Sequence, residues 1–131
     1  MNYCIINGVK YNVRVLELEE NWNVLYSENT GRVIGSGAMI LDPIGTFIGH
    51  TVTFARKGND RQSFDNLYHH LRLPRTQGIN VEFADGQASI AYKAYVSSGK
   101  RKAARIDENA GNIYWDSFQA NFIPMEAQVL P

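Results

Sequence analysis

The chain has 131 residues, 44% of them hydrophobic and 20% charged, which suits one globular core and falls short of the length at which a second is expected. Thirteen Lys and Arg balance thirteen Asp and Glu, so the whole molecule has no bulk attraction for nucleic acid or an anionic membrane. The single cysteine, Cys4, excludes an intramolecular disulfide, a C-x-x-C redox pair and a multi-cysteine zinc site, and no apolar run reaches the roughly 18 to 20 residues that span a bilayer.

Alternation of period two dominates and predicts strands. Residues 3–6 and 9–18 flank Asn7-Gly8, a dipeptide that tolerates the positive φ of a tight hairpin turn, so a first hairpin is expected there. In its second arm Val9, Tyr11, Val13 and Val15 share a face, after which Leu16 and Leu18 switch, and a bulge near Val15 and Leu16 accounts for the switch. Trp22, Val24 and Tyr26 suggest a further short strand. Residues 31–49 hold five glycines and Pro43 in an otherwise apolar stretch, too glycine-rich for a helix and too irregular for an interior strand. They are read as a long loop or a projecting, partly paired hairpin over about residues 27–49, with strand returning at residues 47–55. There Ile48, His50, Val52 and Phe54 share one face.

One segment changes to the helical period. Phe64, Leu67, Tyr68 and Leu71 fall at i, i+3, i+4 and i+7, with Asp60 as N-cap and Leu73-Pro74 as the stop. A second hairpin follows, its arms alternating through Ile79, Val81 and Phe83 and through Ala88, Ile90, Tyr92, Ala94 and Val96 around Asp85-Gly86. Residues 97–112 read as a polar loop, and a last strand is expected over residues 113–123. The elements predict a mainly β fold, an antiparallel β-sandwich or split β-barrel with one flanking α-helix, in a single domain over residues 1–131.

Catalytic constellations are thin. His69 and His70 are neighbours on the predicted helix and point about 100 degrees apart, so they cannot jointly face one metal. His50 on an apolar strand face reads as a hydrogen-bonded core residue, and Cys4 in an apolar strand as a packed thiol. No G-x-S-x-G, H-E-x-x-H or G-x-x-x-x-G-K-[ST] motif is present, and Asp42, Asp107, Glu108 and Asp116 read as surface acids. The expectation is a protein that is not an enzyme and carries no catalytic centre, cofactor or metal.

Charge is uneven along the chain: residues 1–55 sum to minus two, residues 56–105 to plus six and residues 106–131 to minus four. Such a distribution is either a mixed solvated surface or a set of complementary patches that fix register when copies associate. The positive segment holds two clusters, one of Arg56, Lys57 and Arg61 before the helix and one of Lys100, Arg101, Lys102 and Arg105 in the expected loop.

Ser27-Glu28-Asn29-Thr30-Gly31-Arg32, then Gly37-Ala38-Met39, then Asp42-Pro43-Ile44-Gly45-Thr46 form a pattern that resembles small tail proteins of bacteriophages and prophages of Gram-positive bacteria. The similarity extends to the Ile6-Asn7-Gly8-Val9 opening, the helix, Tyr114-Trp115 and the ending Asn121-Phe122-Ile123-Pro124-Met125-Glu126. The resemblance implies a structural component of the tube, distal-tail or baseplate region. It implies a tail-tube type of fold with an extended loop that reaches a neighbouring subunit, located in the virion tail and, during assembly, in the host cytoplasm. The partners so implied are further copies of the chain, as a ring or stacked oligomer, and other tail proteins, with DNA met only as it passes through a tail lumen.

Val33, Ile34, Met39, Ile40, Leu41, Ile44, Phe47 and Ile48 put more apolar surface in the glycine-rich segment than a free loop exposes, surface that either docks on a neighbour or folds back on its own domain; the first six are the docking candidates. Together with Arg32 and the basic residues Lys100, Arg101, Lys102 and Arg105 they form the candidate subunit interface. An alternative from another class is a small β-barrel that binds a ligand or single-stranded nucleic acid through residues 100–105 and nearby aromatics.

Overall fold

Pairing in the computed structural model, which describes residues 4–131, gives the strands β1 (Cys4–Ile6), β2 (Val13–Tyr26), β3 (Gly31–Arg32), β4 (Met39–Ile40) and β5 (Pro43–Arg56). The helix α1 (Arg61–Arg72) follows, then β6 (Ile79–Asp85), β7 (Ala88–Asp107) and β8 (Asn112–Pro124). Tyr3, placed in the opening strand by its pattern, lies outside the described residues. Six strands form one antiparallel sheet in the order β1-β6-β7-β8-β5-β2, and β3 and β4 pair separately as a small ribbon.

The sheet is rolled. The ring of His50 on β5 lies 4.7 Å from that of Phe83 on β6, two strands that stand three positions apart in the sheet order. In a flat sheet three strand spacings would separate them by about 14 Å. Its two halves therefore face each other across a shared core as the layers of a β-sandwich, and the ladder stays open between β1 and β2. Phe54, Phe83, Phe118 and Phe122 interlock inside with Ile6, Val52, Val81 and Ala94.

The helix flanks this core as its spacing predicts. Asp60 caps it by accepting from the Ser63 amide at 3.0 Å and the Ser63 hydroxyl at 2.9 Å, and Asn12 donates to the same carboxylate at 2.8 Å. Phe64, Leu67 and Leu71 form its buried stripe, and Leu73 ends it in extended backbone before Pro74. Phe64 and Tyr68 meet Phe118 edge-on at 5.2 and 5.1 Å, which ties α1 to β8.

Three expectations are corrected. The Asn7-Gly8 turn forms, with φ of 54° and 77° and reciprocal bonds between Ile6 and Val9, but it does not lead into a hairpin. Instead β1 pairs with β6, while β2 crosses to the opposite edge and pairs with β5 along its length. The turn is locally correct, and burial of Ile6 beside Val81 and Phe83 chooses the partner. Next, the strand expected at residues 22–26 is continuous with β2, whose one irregularity near its start is the predicted bulge between Val15 and Glu17. Finally, residues 97–107 are not loop. They extend β7 against β8, so the basic cluster of Lys100, Arg101, Lys102 and Arg105 stands on a strand.

Register then sets the overall layout. β5 pairs with β8 only from His50 to Ala55, so the part of β5 before His50 runs on as an arm with β2 as its one strand partner and an isolated bridge from Thr46 to Val129 on its other edge. β6 pairs with β7 only as far as Ala94, and past Ser117 the β7–β8 hairpin runs on as a second arm. Because β5 and β8 are antiparallel, the two arms leave the sheet at opposite ends. The ribbon of β3 and β4 tips the first arm, and β5 already begins at Pro43 rather than at residue 47.

Candidate subunit interfaces

At the tip of the β2–β5 arm a polar clasp closes the neck of the ribbon. The Ser27 amide donates to the Asp42 carbonyl at 2.8 Å, the Ser27 hydroxyl to the Asp42 carboxylate at 2.5 Å, and the Asp42 amide to the Thr30 hydroxyl at 2.8 Å. Above the neck, Arg32 donates to the Gly37 carbonyl at 3.0 Å and Val33 to that of Ala38 at 2.7 Å. Gly35 and Gly37 take φ of 98° and 74° where the chain reverses, a conformation that side chains disfavour. The polar residues Ser27, Thr30, Arg32 and Asp42 thus build the ribbon.

With the polar groups turned inward to the neck, the apolar ones face solvent. Ile34 is 100% exposed, and Val33, Met39, Ile40, Leu41 and Ile44 are exposed around it. Down the arm Trp22 is 67% exposed, and Tyr26 and, on the opposite face of β2 from Trp22, Leu25 are exposed as well; the alternation marked Trp22 and Tyr26 as strand residues without marking them as interface. Single exposed apolar residues are ordinary, whereas several gathered on one short ribbon make it a candidate contact surface.

On the outer edge of β5 in the same arm lies the end of the chain. Thr46 donates to the Val129 carbonyl at 2.8 Å, and the Gln128 side chain both accepts from the Ile48 amide at 2.9 Å and donates to its carbonyl at 2.7 Å. Gln128 thereby imitates a strand partner. Gly45 makes room for this segment, since a Cβ there would stand 2.7 Å from that of Ala127.

The basic residues of β7 divide by face. Arg101 points inward, where its guanidinium lies 4.1 Å from the ring of Tyr68 and 4.2 Å from that of Trp115 and pairs with Asp65 at 3.1 Å. It fastens the arm to α1. Lys100 and Lys102 point outward and are exposed, and Arg105 stacks on Tyr114 with Asp107 at 3.9 Å. Register places Lys100, Gln119, Thr53 and Glu17 in one row across β7, β8, β5 and β2, and Ser98, Asn121, Thr51 and Glu19 in the next. Directly opposed residues share a face, so the outer face runs from Lys100 and Ser98 at β7 to Glu17 and Glu19 at β2, while the row of Lys102, Ser117 and Ala55 ends on Arg14. Hydrogen bonds from Thr51 to Asn121 and from Asn121 to Ser98, both 2.8 Å, hold the middle of that polar face.

Of the titratable residues weighed as catalytic, His50 and Cys4 are packed, while His69, Asp42, Glu108 and Asp116 are exposed. His50 is 1% exposed, its Nδ1 lies 2.7 Å from the Tyr92 hydroxyl, and burial pulls its pKa down to about 4. Burial, then the nearby charge of Glu20, raises the Tyr92 phenol, and burial pushes the Cys4 thiol up to about 12.

No family model matches the chain, and no curated protein does. The solved structure of the Dit protein of phage SPP1, described as a paradigm of the hub adsorption apparatus in phages that infect Gram-positive hosts, is similar over 95% of this chain and 49% of that one. The TM-score is 0.56 at 11% sequence identity, so the likeness shows a shared fold, and the chain spans about half the length of that protein.

Proposed function

We propose that the chain is a structural component of a bacteriophage or prophage tail, in the tube, distal-tail or baseplate region, that acts by subunit assembly and not by catalysis. The observation that carries this reading is the apolar ribbon, raised on a polar clasp with Ile34 fully exposed. A surface built to stay apolar in solvent serves a protein partner. The shared fold with a phage hub protein supports the choice of setting, the virion tail; assembly in the host cytoplasm is part of the proposal.

Two strand edges extend the argument to the mode of assembly. The far edge of β2 pairs with no strand among the described residues, and the edge of β7 beyond Ala94 is likewise free. The first carries Glu17 and Glu19 on the outer face and the second carries Lys100 and Lys102. An acidic edge at one side and a basic edge at the other suit a head-to-tail contact between copies, which closes into a ring when the rotation closes. The ribbon, at one end of the sheet, then serves the contact to a further copy or another tail protein.

A charge exchange tests this. The pair Lys100→Glu and Lys102→Glu should abolish large assemblies in light scattering, and adding Glu17→Lys and Glu19→Lys should restore them. Assemblies that persist in the first variant, or no recovery in the second, would count against the edge contact.

A further inference from the structure

The fold joins two basic clusters that are separate in the chain. Arg61, at the start of α1, and Arg105, on the β7–β8 arm, both lie over the ring of Tyr114, each guanidinium carbon 4.8 Å from its centroid. Arg56, at the end of β5, lines a cavity of about 170 Å³ together with Arg61, Phe64, Asp65, Ile113 and Trp115. Asp65, the one carboxylate lining that cavity, is engaged by Arg101 at 3.1 Å. Arg56 and Arg61 have no carboxylate within ion-pair distance among the described residues. Unneutralised guanidinium groups at one cavity repel one another, and an oxyanion removes that cost.

From this arrangement we infer that the base of the β7–β8 arm is a binding site for a phosphate group, held by Arg56 and Arg61 in the cavity and by Arg105 beside it. Volume and charge select the ligand. The cavity holds the share of about five or six waters, enough for a tetrahedral oxyanion and below the roughly 300 Å³ at which sites for larger organic ligands begin. A dianion matches the surplus of cations better than a carboxylate, and guanidinium forks bind phosphate oxygens bidentately. Base stacking has little part, because the nearby rings already carry arginines: Tyr114 those of Arg61 and Arg105, Tyr68 and Trp115 that of Arg101. The phosphate is either free or part of a phosphodiester chain.

The chain supplies its own reporter. Trp22 stands on the other arm, so Trp22→Phe leaves Trp115, in the cavity wall, as the one indole. In that background, inorganic phosphate titrated at constant ionic strength should change tryptophan emission saturably, while chloride does not. Arg56→Gln with Arg61→Gln should weaken binding at least tenfold, Arg105→Gln by less, and Lys93→Gln, at the other end of the sheet, should leave it unchanged. A thymidine oligonucleotide that binds more tightly than phosphate assigns the site to a polymer, and one that binds no more tightly assigns it to free phosphate. Emission that does not saturate, or that saturates equally in the folded Arg56→Gln, Arg61→Gln protein as judged by circular dichroism, would overturn the inference.

Discussion

The two arms of the molecule are both two-stranded extensions of one sheet, and they are finished in opposite ways. The β7–β8 arm is fastened to the helix by Arg101 between two aromatic rings and an acid, with Phe118 beneath. The β2–β5 arm satisfies its polar groups in the Ser27–Asp42 clasp and the Gln128 clip and leaves Trp22, Ile34, Met39 and Leu41 to solvent. A strand pair without sheet on either side is marginal in water. One arm gains its support within the chain, and the other presents what a partner would cover.

Changes to the fastened arm should cost stability. Phe118→Ala removes the ring that meets Phe54, Phe64 and Tyr68 and should lower the unfolding free energy by about 3 to 5 kcal/mol in urea titrations. Arg101→Ala, which takes a buried guanidinium from between two rings while Asp65 stays half exposed, should cost about 2 kcal/mol by the same measurement. A loss under about 0.5 kcal/mol for either would mean the arm is not held this way.

Acid tests the point where the loose arm leaves the sheet, since His50 is the last β5 residue paired with β8. The folded protein holds this ring neutral down to about pH 4, against 6.5 when it is free. Stability is therefore flat with respect to His50 above pH 6.5 and falls as pH drops toward 4, by about 2 kcal/mol at pH 5. His50→Gln should flatten that slope, and an unchanged slope would place the acid sensitivity elsewhere. Smaller again, Asp42→Ala should cost about 1 kcal/mol or less, because the clasp is exposed, while ribbon amides gain hydrogen-exchange rate. A deletion meant to remove the ribbon should stop short of Asp42 for the same reason.

Legibility in the sequence follows local and non-local causes. Asp60, Phe64, Leu67 and Leu71 announced the helix because cap and stripe are local signals, and Asp85-Gly86 announced the hairpin of β6 and β7. Residues 97–107 read as loop because no core lies under most of the arm, so its strand carries Ser, Gly, Lys and Ala with no apolar alternation. The partner of β1 and the row from Lys100 to Glu17 depend on sheet order, which no local pattern contains. The apolar excess at Val33, Ile34, Met39, Ile40, Leu41 and Ile44 was visible as composition, and its exposure was settled by where the clasp points it.

The most direct measurement of the account is molar mass by light scattering behind size exclusion, over a concentration series, for the native chain and for Ile34→Asp with Met39→Asp. The account predicts discrete large species for the native chain, seen as rings or stacks in negative stain. It predicts a monomer for the variant with an unfolding midpoint unchanged in urea, since both side chains are already solvated. A native chain that stays monomeric at the highest concentration, or a variant that assembles as before, would contradict it.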